Sequence, residues 1–83
     1  MAITTEAETR KLDGLLDLLI RCSASEACNI VQEHVQDART YLLGAMEAEY
    51  KLNLELAREA SARIPDENVR SESEMVLKEL IRG

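Results

Sequence analysis

Only one neighbourhood of the chain gathers residue types that hold metals or act as nucleophiles: Cys22, Cys28, Glu33, His34 and Asp37. A zinc site needs four ligands converging at about 2.0 to 2.3 Å, usually supplied as close pairs such as C-x2-C or H-x3-H. Cys22 and Cys28 lie six positions apart and do not match that spacing. On a helix Glu33 and Asp37 share a face, while His34 points about 100° away from Glu33. The cluster is therefore read as no metal site, with His34 a core or boundary residue.

Cys28 and His34 are the types needed for a nucleophile and its base. Six residues along one helix separate them by about 9 Å of rise, too far for a hydrogen bond. Both thiols are read as reduced, buried and inert. Asp13 and Asp17 have the types of an acid and base pair, but they read as the solvated edge of a helix, because catalysis also needs a pocket. No catalytic residue, cofactor-binding motif or cofactor is expected, and the chain is read as no enzyme.

Composition narrows the partners. The 83 residues carry a net charge of −6, with 31% charged residues of both signs interleaved. No basic stripe is present, which argues against direct nucleic-acid binding. Interleaved charge fits a solvated helical surface and not a disordered tail. The longest apolar run, Leu12 to Ile20, is interrupted by Asp13 and Asp17 and is too short for a membrane span. It also lacks the basic n-region of a signal peptide. A cytoplasmic protein that does not enter membranes is the expectation.

The positioning elements are helices. Thr5 with Glu8 forms a capping box, and a first helix is expected over about 5–22, with Leu12, Leu15, Leu16 and Leu19 on one face. Glu6 with Arg10 is a favourable i,i+4 pair on its outer side. Gly14 costs this helix roughly 1 kcal/mol relative to alanine, which suggests a close helix contact there.

Ser23 with Glu26 forms a second capping box and opens a stretch without proline from Ala24 to Ile64, whose only glycine is Gly44. As one helix it would be about 60 Å long. Cys28, Val31, Val35, Ala38, Leu42 and Ala45 recur at steps of three and four, the spacing of helices packed side by side. Past Gly44 that register meets Glu49, Leu52, Leu56 and Glu59, and a new stripe of Leu43, Met46, Tyr50, Leu54, Ala57 and Ile64 appears, turned by about 100°.

Two arrangements satisfy this change of face: a break with Gly44 as a left-handed C-cap, or an unbroken helix showing its halves to different neighbours. Ala45 and Met46 are poor N-caps, so a continuous or kinked helix over about 24–64 is the reading adopted. Pro65 ends it, Asp66 or Ser71 caps the next segment, and a last helix over about 66–82 carries Val69, Val76, Leu77, Leu80 and Ile81.

The expected fold is all-α, a single small antiparallel helical bundle of three helices, or four if the chain breaks at Gly44, completed by dimerisation. A continuous helix could not cover its second stripe internally, so Leu43, Met46, Tyr50, Leu54 and Ala57 are the candidate interface. The expected partners are a second copy and another protein. The expected function is a non-enzymatic interaction module, a small regulator, adaptor or inhibitor; the alternative is an acidic mimic of nucleic acid that blocks a nucleic-acid-binding protein.

Overall fold

The computed structural model describes residues 5–22 and 24–82. Four helices follow one another: α1 (Thr5–Arg21), α2 (Glu26–Leu43), α3 (Glu47–Ser61) and α4 (Glu67–Arg82). Links of three to five residues force each helix to run antiparallel to the one before. Each packs on the next and α4 returns to α1, while α1 faces α3, and α2 faces α4, across the diagonals of the bundle. The longest dimension is 38 Å, far short of the rod of about 60 Å that an unbroken central helix would make.

The expected continuity at Gly44 is thus corrected: the chain reverses there and the bundle has four helices. The reversal is a Schellman motif made by the backbone alone. Met46 N–H donates to Tyr41 C=O at 2.9 Å and Ala45 N–H to Leu42 C=O at 3.1 Å, the 6→1 and 5→2 pair that satisfies the orphan carbonyls of a helix end. No capping side chain is needed to stop α2. Met46, the first flank of α3, likewise offers no side-chain cap, but Glu47 and Glu49 place negative charge at the positive end of that helix.

Burial explains why breaking wins. Reversal brings Tyr50, Leu54, Ala57 and Ile64 into the same core as Val31, Val35 and Ala38. Each large apolar side chain removed from water contributes about 1.5 to 3 kcal/mol. One left-handed alanine costs only about 1 to 2 kcal/mol.

The other boundaries are local. Ser25 caps α2, its Oγ accepting from Cys28 N–H at 3.4 Å; the Ser23 cap expected from the sequence lies outside the described residues, as does the side chain of Thr5. Asp66 Oδ1 accepts from Asn68 N–H at 2.9 Å and Val69 N–H at 3.1 Å, so Asp66 and not Ser71 caps α4. Arg70 Nη1 donates to the Ile64 carbonyl at 2.9 Å, closing the α3/α4 link over a buried Ile64.

The core is aliphatic apart from Tyr50 and Cys28: Leu12, Leu15 and Leu19 from α1 meet Val31, Val35, Leu54, Leu77 and Leu80. Three polar residues also face inward. Asn53 Nδ2 donates to Glu49 C=O at 2.9 Å and Ser61 Oγ to Arg58 C=O at 2.7 Å, each back-bonding within its own helix. Ser73 Oγ is enclosed and has no hydrogen-bond partner among the described residues.

Candidate functional site

The five expected interface residues divide between inside and outside. Tyr50, Leu54 and Ala57 are buried in the core and covered by the other helices of the same chain. Leu43 and Met46, at the α2/α3 turn, keep 58% and 45% of their surface exposed. The stripe is a core stripe whose first members hang over the turn. Because the chain folds back, α1, α2 and α4 supply the cover that a continuous helix would have needed from a second copy.

Exposed aliphatic surface gathers elsewhere on α3. Leu52 and Leu56, one turn apart, are 57% and 38% exposed. At about 100° per residue they stand some 160° and 120° from Tyr50, on the side of α3 turned away from the core. They are the positions where the α2 register continues after Gly44, so the failing heptad pattern was their signal in the sequence.

Two open grooves flank α4. One, of about 640 Å³, runs between α3 and α4 and is lined by Glu55, Arg58, Glu59, Glu74, Met75 and Lys78. The other, of about 620 Å³, runs between α1 and α4 past Gly14, Leu18, Asn68, Val69 and Val76. A Cβ added to Gly14 would meet no atom within 4 Å, so the close helix contact expected at Gly14 is not made. Gly14 instead widens this groove.

The residues with reactive side chains are dispersed. Among the described residues, no group of three or more His, Cys, Asp or Glu side chains could hold a metal ion. His34 is partly buried, with Nδ1 enclosed and without a hydrogen-bond partner among the described residues, while Glu33 and Asp37 lie on the surface. Asp13 accepts from Arg39 Nε at 2.7 Å and so ties α1 to α2. Lys11 pairs with Glu79 at 3.4 Å, tying α1 to α4. Both pairs are exposed and contribute little individually.

Cys22 and Cys28 form a disulfide, with Cα atoms 6.0 Å apart. This corrects the reading of two reduced thiols. The two cysteines flank the junction between the first two helices: α1 ends at Arg21 and α2 begins at Glu26, so the turn between them brings the two residues within disulfide reach.

The ionisation of Tyr50 is clearly displaced. Desolvation by burial raises its hydroxyl well above the ordinary tyrosine range, and the Glu8 carboxylate adds to this by its charge and by accepting a long hydrogen bond at 3.4 Å. The contact crosses the bundle diagonal from α3 to α1. A phenol held neutral on the core side of a helix and bonded to Glu8 is a structural tie between α3 and α1.

Among the described residues, no helix is long and apolar enough to cross a membrane. No protein-family model matches the chain, and comparison with curated proteins and with solved structures finds no match.

Proposed function

We propose that this chain is a non-enzymatic protein-interaction module, a small helical regulator, adaptor or inhibitor that docks through the outer face of α3. The observation that carries the reading is the pair Leu52 and Leu56, large aliphatic side chains held one turn apart on a helix face with no covering element of their own. Clustered exposed apolar side chains mark interaction sites more often than single ones do. Leu43 and Met46 are further exposed apolar side chains, at the α2/α3 turn. The partner is a protein presenting its own apolar helix face, and a second copy of this chain is one such surface.

The acidic-mimic reading has less support. The anionic side chains are interrupted by cations, with Arg58 and Lys78 beside Glu55, Glu59 and Glu74 along one groove. A mimic needs a continuous anionic track.

The test compares wild type with Leu52→Asp/Leu56→Asp, first by light scattering for self-association and then by affinity capture from the native host with identification of what is retained. Loss of self-association or of a specific partner, with helicity unchanged by circular dichroism, supports the reading. Retention of every interaction by the double variant sinks it. A partner released by salt and indifferent to the double variant would favour the mimic instead.

A further inference from the structure

The Cys22–Cys28 disulfide joins two sulfurs in different surroundings. Cys22 follows the last residue of α1 and is partly exposed, packed against the rim of the core. Cys28 sits in the first turn of α2, wholly buried among the core side chains. The bond closes a short loop, its ends only six positions apart. Short loops confer less protection through chain entropy than long ones. Apart from Tyr50 the remainder of the core is aliphatic, and it is contributed by all four helices.

We propose that this disulfide is a reversible thiol-exchange site, entered at Cys22 by thiols of the glutathione or dithiol class, with Cys28 as the leaving sulfur. Access decides the direction, because a thiolate must approach along the S–S axis of the sulfur it attacks. The incoming thiolate bonds to Cys22 Sγ, the S–S bond breaks, and its electron pair leaves on Cys28. The N–H groups of the first turn of α2 carry partial positive charge that offsets part of the cost of this leaving thiolate in its apolar surroundings. Cys28 then takes a proton from water and packs as a small hydrophobic thiol. With a monothiol the product is a mixed disulfide on Cys22. With a dithiol, the second sulfur of the reagent attacks the first, releasing Cys22 as a thiol and leaving the reagent oxidised.

Exchange unties the end of α1 from the start of α2 without removing the core that holds the bundle. The reduced protein is therefore expected to stay helical but to melt lower, by about 10 °C for a loop this short in a domain this small.

The experiment treats the folded, oxidised protein with glutathione, quenches with acid and locates the adduct by fragment mass spectrometry. A parallel sample takes millimolar dithiothreitol and is followed by circular dichroism and thermal melting. The expected results are an adduct on Cys22 in about tenfold or greater excess over Cys28, native-state reduction by the dithiol, retained helicity, a lowered midpoint, and restoration of the bond by oxidised glutathione. An adduct chiefly on Cys28 overturns the proposal. So does a bond that survives the dithiol until the protein is denatured, or a protein that keeps two free thiols after treatment with diamide. The variants Cys22→Ser and Cys28→Ser carry the same comparison by alkylation rate. If Cys28→Ser does not fold, the adduct position in the wild-type chain decides alone.

Discussion

Ala45 and Gly44 divide the α2/α3 turn against expectation: Ala45 takes the left-handed form at φ 60°, and Gly44 beside it, with no Cβ to hinder that form, sits at φ −87° and ψ 5°. The residue free to adopt a positive φ does not, and the residue that resists it does. The cost is tolerated because this turn brings the α3 stripe into the core.

Exchanging the two residues should therefore stabilise the protein. Ala45→Gly relieves the left-handed alanine and is expected to add about 1 kcal/mol. Gly44→Ala should add roughly 0.5 kcal/mol by restricting the unfolded chain, since its Cβ would meet Thr40 O at 3.5 Å, an ordinary contact. Urea unfolding measures both; a loss of stability in Ala45→Gly would mean that the turn is not of this type.

Gly14→Ala is expected to stabilise by about 1 kcal/mol, the full helix-propensity difference, because nothing lies near the added methyl group. Thermal melting at several protein concentrations checks it. A variant that is destabilised, and more so at high concentration, would show that a second chain packs against α1 at this glycine.

Tyr50 gives the protein an alkaline limit. Its folded-state pKa is raised, so above about pH 10 the unfolded chain loses this proton first and binds fewer protons than the folded one. The stability that depends on the neutral phenol is complete below pH 10 and is lost as pH rises, by up to about 1.4 kcal/mol per unit. Tyr50→Phe should remove that slope. Subtracting variant from wild-type stabilities between pH 9 and 11 isolates it from other titrations; parallel curves would contradict the buried Tyr50 hydroxyl.

Leu54 and Leu52 are two residues apart and should respond differently. Leu54→Ala is expected to cost 2 to 5 kcal/mol, roughly the range for truncation in a packed core, and Leu52→Ala less than about 0.5 kcal/mol. Equal costs in the isolated protein would place the two faces of α3 wrongly. Equal costs only at high concentration would point to a self-association surface at Leu52.

Ser73→Ala removes a buried hydroxyl that has no hydrogen-bond partner among the described residues. The expected gain is about 1 kcal/mol, because the desolvation of an unpaired polar group is relieved with little change of shape. Ser61→Ala, which gives up a hydrogen bond to Arg58 C=O, is the control and should bring no gain.

Much of the helical content was legible because apolar periodicity is a local property. Leu12, Leu15 and Leu19, then Val31, Val35 and Ala38, then Leu77 and Leu80 are spaced for one face each, and all are buried. The second stripe was also legible as a stripe, since Tyr50, Leu54, Ala57 and Ile64 keep helical spacing whatever covers them. The candidate site was less so: spacing shows that residues share a face and does not say what lies opposite.

The all-α class and the four apolar faces were therefore written in the residue order alone, each set by interactions within a few positions, whereas α3 ends at Ser61, short of the Ile64 expected from Pro65. Whether the chain turned at Gly44 was a tertiary decision. Locally the turn is unfavourable, with a left-handed alanine and no capping side chain, and it is offset only by burial that exists once α3 lies against α2 and α4. The same turn decided that Leu54 is core while Leu52 and Leu56 are surface. The folding back of α2 on α1 likewise decided that Cys22 and Cys28, which the sequence places across a helix junction without fixing their oxidation state, are partners.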